Sequence, residues 1–193
     1  MLVDFIIPTY DRIDALRMTL SSLIVQTNND WCANVVIDRP YEGMDKLWID
    51  ICTDAMPSDV RIRYTFMEKR YNDWGHTPRE IGKQASECQY IIMTGDDNYY
   101  MPTFVEELRN ASFTSPGVIY WDMIHSHYNY QYFKCAPGNN QIDMGAFATR
   151  RDIAQNIKLN TTYAADGEYI ESIKAKYPKE EMIKIFKVLF VHN

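Results

Sequence analysis

Apolar residues run almost unbroken from Val3 to Pro8 (VDFIIP), the pattern of a parallel strand covered on both faces. Ile13, Leu16, Leu20, Leu23 and Ile24 then recur at helical spacing and predict an amphipathic helix. Asn34–Asp38 (NVVID) predicts a second strand that ends on an acid, and the alternating Arg61–Met67 (RIRYTFM) a third. Thr77-Pro78-Arg79-Glu80 has the spacing of a capping box, with Thr at the cap, Pro at the first helical position and Glu at the third. The helix it opens is expected to turn Ile81, Ala85 and Cys88 inward. Tyr90–Thr94 (YIIMT) predicts a fourth buried strand that runs straight into Gly95-Asp96-Asp97-Asn98. Pro102 opens another helix with Phe104, Val105 and Leu108 inward.

This alternation of strand and helix predicts an α/β fold with a mostly parallel, doubly wound sheet and ligands at the carboxyl ends of its strands. The second half is less regular. Val118–Trp121, Gln131–Cys135 and Ile183–Val191 read as strands, and Asp152–Ile157 and Gly167–Tyr177 as helices. No repeat, low-complexity tract or linker interrupts the chain. A length of 193 residues suits one sizeable core, so residues 1–193 are expected to form a single domain.

Composition narrows the class. Apolar residues make up 46% of the chain, and 20 basic residues face 26 acidic ones. With no basic run to track a phosphate backbone, nucleic acid is not expected as a partner. No apolar stretch approaches a membrane span, and the N-terminal run, broken by Asp4 and lacking a basic flank, reads as a strand and not a signal peptide. Cys32, Cys52, Cys88 and Cys135 are scattered with no CxxC pair, which gives little support to a zinc site or redox dithiol. A cytoplasmic protein with four free thiols is expected.

Polar residues sit where the predicted strands end: Thr9, Tyr10 and Arg12 after the first, Asp38 and Arg39 at the second, Asp96 and Asp97 after the fourth. In a parallel sheet these ends share one edge and converge on one cleft. Adjacent carboxylates repel each other in a dry site, and a hard cation, Mg²⁺ or Mn²⁺, held by carboxylates and substrate phosphates removes that repulsion. A bare Asp-Asp pair can equally be a polar turn. Arg79 lies in the first turn of its helix, where the dipole disfavours a cation by ~0.3–1 kcal/mol; an anionic partner beside it would offset this, or it is a solvated surface arginine. His125 and His127 would share one face of a strand, with no further ligand evident, and His76 would order its loop.

The segment Ile91–Pro102 (IIMTGDDNYYMP) resembles the acidic metal-binding motif of family 2 glycosyltransferases of the GT-A fold. The opening IIPTYDR resembles that family's first strand and nucleotide-binding loop. Asn72–Gly82 (NDWGHTPREIG) resembles its Asn-x-Gly…Arg-Asn-x-Gly segment. The resemblance implies a three-layer α/β/α GT-A domain and inverting transfer of a sugar from a nucleotide-diphosphate donor, a UDP-sugar by preference, to a glycan or other hydroxyl acceptor. Residue by residue, it implies that Thr9, Tyr10 and Asp38 hold base and ribose, that Arg79 contacts the nucleotide, and that Asp96 meets the ribose or the metal. Asp97 would ligate Mn²⁺ or Mg²⁺, and His192, after the last strand, would complete the metal shell.

Asn139–Arg151 (NNQIDMGAFATRR) resembles the stretch that shapes the sugar and acceptor pocket; Asp143 would bond sugar hydroxyls and Gly145 would allow close backbone approach. Ala165-Asp166-Gly167-Glu168-Tyr169 resembles the family's Glu-Asp segment and makes Asp166 the candidate general base. Asp166, Ile170, Ile173 and Tyr177 share a helical stripe, and a helix N-terminus favours the ionised form. Asp166 could equally be an ordinary N-cap, and Glu168 is the alternative base.

Two departures are visible: the second strand ends Ile-Asp-Arg-Pro where the family often has Asp-Asp-Gly-Ser, and Glu80 follows Arg79 where Asn is usual. Of the aromatic group Tyr120, Trp121, Tyr128, Tyr130, Tyr132 and Phe133, more is expected in the core than stacked on sugar. Two other readings stand beside the enzyme: a nucleotidyltransferase, disfavoured because PTYDR is not a Gly-rich phosphate loop, and a non-catalytic nucleotide-sugar or glycan-binding module.

Overall fold

Strand β1 (Val3–Thr9) is buried along its whole length, as its unbroken apolar run requires. It pairs in parallel with β2 (Trp31–Ile37) on one side and β4 (Tyr90–Met93) on the other, and β2 pairs in parallel with β3 (Ile62–Phe66). The computed structural model describes residues 1–41 and 59–193; Cys52 lies outside the described residues. Successive strand residues point to opposite faces. Phe5 packs edge-on against Phe104 of helix α3 (Phe104–Ala111), with ring centroids 5.8 Å apart. The next residue, Ile6, meets Gly82 of helix α2 (His76–Ala85). Helices therefore cover both faces, which gives the three-layer arrangement that alternation predicts. Helix α1 (Ile13–Ile24) buries Leu16, Leu20 and Leu23 as its periodicity requires.

Beyond β4 the sheet becomes mixed. Its order is β3-β2-β1-β4-β8-β6-β9-β5, with β7 (Gln131–Phe133) paired to β6 (Val118–His125). Strand β8 (Phe147–Arg150) lies antiparallel between β4 and β6, where sequence resemblance had suggested only a pocket-shaping stretch. The two-residue β5 (Tyr99–Tyr100) closes the edge against β9 (Met182–His192). β9 runs parallel to β6 through a bulge at Trp121–Met123 that brings His192 opposite His125. Two further helices, α4 (Arg151–Ala154) and α5 (Ala165–Lys176), complete the described elements; α4 is shorter than Asp152–Ile157 suggests.

Helix α2 departs from expectation in two ways. Its cap is not Thr77: the helix begins at His76, and the carboxylate of Asp73 accepts from both the backbone N–H (2.9 Å) and the hydroxyl (2.6 Å) of Thr77. Its inward stripe is His76, Pro78, Gly82 and Lys83; Ile81 and Ala85 face outward. A Cβ on Gly82 would lie 2.5 Å from Ile6 Cγ2 and 3.1 Å from Val36 Cγ2, so the helix can approach the sheet only through a residue with no side chain. Lys83 reaches the interior because Glu80 (2.7 Å) and the carbonyl of Ile157 accept from its ammonium, which offsets the cost of burying a charge.

Candidate active site

Parallel pairing puts the carboxyl ends of β1, β2 and β4 on one edge, and a cavity of about 460 Å³ opens there. It is lined by Thr9, Tyr10, Arg12, Asp38, Arg79 and Asp96, together with Arg70, Asn72, Trp74 and Gly75. Six residues separated by up to 87 positions thus share one cleft. Thr9 donates its hydroxyl to Asp96 at 2.7 Å. Arg12 forks across the acidic pair, with one guanidinium nitrogen on Asp96 and the other on Asp97 at 2.6 Å. Burial raises the Asp96 carboxyl above its ordinary range, while Thr9 and Arg12 pull it back. Asp96 and Asp97 are therefore not a free polar turn.

Asp38 is buried, and its two carboxylate oxygens accept from the backbone N–H groups of Tyr71 (2.8 Å) and Asn72 (3.0 Å). It positions the 70–75 loop at the cleft while lining the cleft itself. That loop carries residues the site-by-site reading passed over. The guanidinium of Arg70 lies 3.6 Å from the Tyr10 ring centre and that of Arg39 4.1 Å, so Tyr10 is held by two cations. The signal was present in sequence as Arg39 beside Asp38 and as Arg70 just before the Asn72 motif. Gly75 takes a left-handed φ of 80°, and a Cβ there would strike Pro8.

A second cavity, of about 320 Å³, is lined by Asp143, Asp166 and His192 with His125, His127, Tyr128, Phe133 and Tyr163. His192 Nε2 lies 3.5 Å from Asp143 Oδ2, and its Nδ1 contacts the Ser126 hydroxyl at 3.1 Å. His125 ends β6, whereas His127 sits in a short 3-10 turn (Ser126–Tyr128), so the two do not share a strand face. Their rings lie 4.3 Å and 5.4 Å from that of His192, a partner that only the β6–β9 register brings to them. Burial, and then the neighbouring His192, lower the pKa of His125. Asp143 also accepts from the backbone N–H of Gly145 at 2.8 Å. The close approach at Gly145 is to the Phe190 ring, 2.4 Å from where a Cβ would be. His76 is buried at the start of α2, edge-on to Trp74. Of the aromatic group, Trp121 is core, while Tyr128, Tyr130 and Tyr132 are more than half exposed.

Asp166 stands in the first turn of α5, half-buried, and its carboxyl is pushed up to about 7. Burial is the main cause; Asp143 adds to it, and Arg79 and the backbone N–H of Met144 oppose it. The helix dipole, worth at most ~1 kcal/mol at an exposed terminus, favours the ionised form, and burial works against it. Glu168 faces away: it accepts from the side chains of Asn160 (2.9 Å) and Thr162 (2.8 Å), which lower its pKa. It belongs to a turn and not to the cavity.

Arg79 lines the first cavity and is influenced by acids of both. Its pKa is lowered by burial and raised again by Asp166, Asp143, Asp96 and Asp73, in that order. One guanidinium nitrogen donates to the Trp74 carbonyl at 2.9 Å, and its Nε is buried with no hydrogen-bond partner. The anionic surroundings expected of a cation in a first helical turn are thus supplied by acids on both sides.

Residues 4–158 match the family model for glycosyl transferase family 2. The chain belongs to that family. It has the GT-A fold, as its solved neighbours do. Staphylococcus aureus TarS, residues 1–349, superposes on the protein with a TM-score of 0.74 at 14% identity, over 100% of this chain and 60% of that one. The TarS structure with UDP-GlcNAc gives 0.74 at 12% identity, over 99% and 58%. A mannosyltransferase from Pyrobaculum calidifontis, in complex with GDP-Man and Mn²⁺, gives 0.70 at 14% identity, over 98% and 56%. The chain thus spans under two thirds of these neighbours' length. No curated protein matches it in sequence. Among the described residues, no helix is long and apolar enough to cross a membrane.

Proposed function

We propose that the protein is a glycosyltransferase that moves a sugar from a nucleotide-diphosphate donor, a UDP-sugar, to an acceptor hydroxyl with inversion at the anomeric carbon, and that residues 1–193 act as one domain. The observation that carries the reading is a pair of cavities whose acids both act on Arg79: one lined by cations and polar strand ends, the other holding a carboxyl poised near neutrality. UDP is favoured because TarS is described with UDP and UDP-GlcNAc. Thr9, Tyr10 and Asp38 would meet base and ribose, and Arg12, Arg79 and Asp96 the ribose–diphosphate side. Asp143 would bond sugar hydroxyls. A cytoplasmic location accompanies the reading, supported by the free thiols of Cys32, Cys88 and Cys135.

The acidic pair fits a hard divalent cation. Asp96 and Asp97 offer carboxylate oxygens, and one cation, the guanidinium of Arg12, already bridges both and offsets part of their charge. Asn98 accepts from the backbone N–H of Asn193 at 3.2 Å, so the chain directly after Asp97 and the chain directly after His192 touch. Asp97 and His192 would hold Mn²⁺ or Mg²⁺, the carboxylate oxygen being the donor that suits these ions. When bound, the ion would neutralise charge on the departing diphosphate.

Asp166 would take the acceptor's proton as the new glycosidic bond forms. A base whose pKa lies near the working pH is both available and strong enough, and the Met144 N–H orients it. Arg79 would stabilise negative charge on either side of the reacting centre. The test is transfer from a panel of nucleotide sugars with and without Mn²⁺, with NMR of the product. A retained anomeric configuration overturns inversion, and absence of binding to any UDP-sugar overturns the donor assignment.

A further inference from the structure

A second cluster lies at the opposite, amino edge of the sheet. Asp4 of β1 is paired in register with Cys32 of β2, and Cys88 stands just before β4, which pairs with β1 on its other side. The thiol sulfurs of Cys32 and Cys88 are 3.3 Å apart. The ligand atoms of Asp4, Cys32 and Cys88 all lie within 4.8 Å of one another, and all three residues are buried. Among the described residues this is the one group of three or more His, Cys, Asp or Glu drawn together so tightly. Sequence spacing hides it, because 56 positions separate the two cysteines and only parallel pairing joins them.

Asp4 is fully buried. Its Oδ2 accepts from Arg63 at 2.9 Å, and Ser86 and Cys32 also bond to its carboxylate. A cavity of about 260 Å³ bordered by Cys32, Cys88 and Arg63 provides a path from solvent. Two thiolates and one carboxylate carry three negative charges, which a dication and the Arg63 guanidinium balance to zero. Thiolate ligands select soft or borderline ions over Mg²⁺ and Mn²⁺, and three protein ligands with one position left to water is a known zinc arrangement.

We propose that Asp4, Cys32 and Cys88 form a binding site for a zinc-like divalent cation, which ties β1 to β2 and to the entry of β4. Binding releases the two thiol protons, so affinity rises with pH. The site is separate from the acidic pair at the carboxyl edge in position and in ligand chemistry.

Co²⁺ serves as the probe, because thiolate ligation gives an ultraviolet charge-transfer band that carboxylate and imidazole ligation does not. Reduced full-length protein titrated with Co²⁺ should develop that band at one equivalent, and added Zn²⁺ should abolish it. Cys32→Ser and Cys88→Ser should lose the band, Cys135→Ser should keep it, and Asp4→Asn should keep it with weaker affinity. No band in the wild-type protein overturns the proposal without reliance on any variant. So does a thiol count showing that Cys32 and Cys88 are already oxidised to each other and give no band after reduction. A band that survives both serine substitutions also overturns it.

Discussion

Replacing Asp166 by Asn keeps the shape of the side chain and an oxygen for the Met144 N–H, but removes the ability to ionise. In the wild-type protein the carboxyl rises from its ordinary value near 4 to about 7. Ionising it in the folded state therefore costs up to about 4 kcal/mol more than in the unfolded chain, at 1.36 kcal/mol per pK unit. A raised carboxyl pKa means that the folded state binds more protons than the unfolded state between about pH 4 and 7. Stability from Asp166 is thus present at low pH and lost as pH rises through 7.

Between pH 5 and 8 the loss is up to about 3 kcal/mol, and partial exposure of the group reduces it. The Asn variant, which never ionises, should match wild type near pH 4 and melt a few degrees higher at pH 8. Transfer should fall by ~10²–10⁴-fold, and wild-type kcat/KM should drop as pH falls below about 7. Paired thermal melts and initial rates across pH 4–9 make the measurement. A melting difference that does not grow with pH refutes the burial argument, and wild-type turnover in the variant removes Asp166 as the base.

Glu168→Gln should leave transfer within about twofold, since Glu168 serves a turn outside the cavity; a loss comparable to that of the Asp166 variant in steady-state assays would reverse the assignment. Asp97→Ala should abolish Mn²⁺-dependent donor binding in calorimetry while stability stays within about 0.5 kcal/mol, and unchanged donor affinity would remove Asp97 as a ligand. His192→Ala should weaken Mn²⁺ affinity less than Asp97→Ala; an unchanged titration confines His192 to its contacts with Asp143 and Ser126. Gly82→Ala should destabilise by about 1–3 kcal/mol through overpacking against Ile6, and an unaltered denaturation midpoint would show that α2 can move off the sheet.

The parallel half of the fold was legible because its strands are covered on both faces and so must be apolar throughout. β1, β2 and β4 announce themselves in this way, and the convergence of Thr9, Asp38 and Asp96 follows from parallel pairing alone. The face of α2 was not legible: hydropathy assigns Ile81 inward and Lys83 outward, yet the helix needs a glycine against Ile6 and can bury a lysine once Glu80 and the Ile157 carbonyl satisfy it. β8 was missed because four residues of mixed polarity become a strand only when β4 and β6 supply partners. The histidine cluster and the Asp4–Cys32–Cys88 group depend on strand register, which no local pattern encodes. The raised carboxyl of Asp166 depends on Asp143 and on burial, both set by tertiary packing.

Arg79 serves as a counter-ion to acids in both cavities, and that sharing has a thermodynamic corollary. An anionic donor settling beside Arg79 draws on the same positive charge that steadies ionised Asp166. The donor therefore binds more tightly when Asp166 carries a proton, and by reciprocity a bound donor raises the pKa of Asp166. The two sites are linked through a proton: donor uptake near pH 7 should be accompanied by proton uptake, visible in calorimetry as a binding enthalpy that changes with the ionisation heat of the buffer. On the proposed reading, Arg79 would thereby couple donor occupancy of the first cavity to the basicity of Asp166.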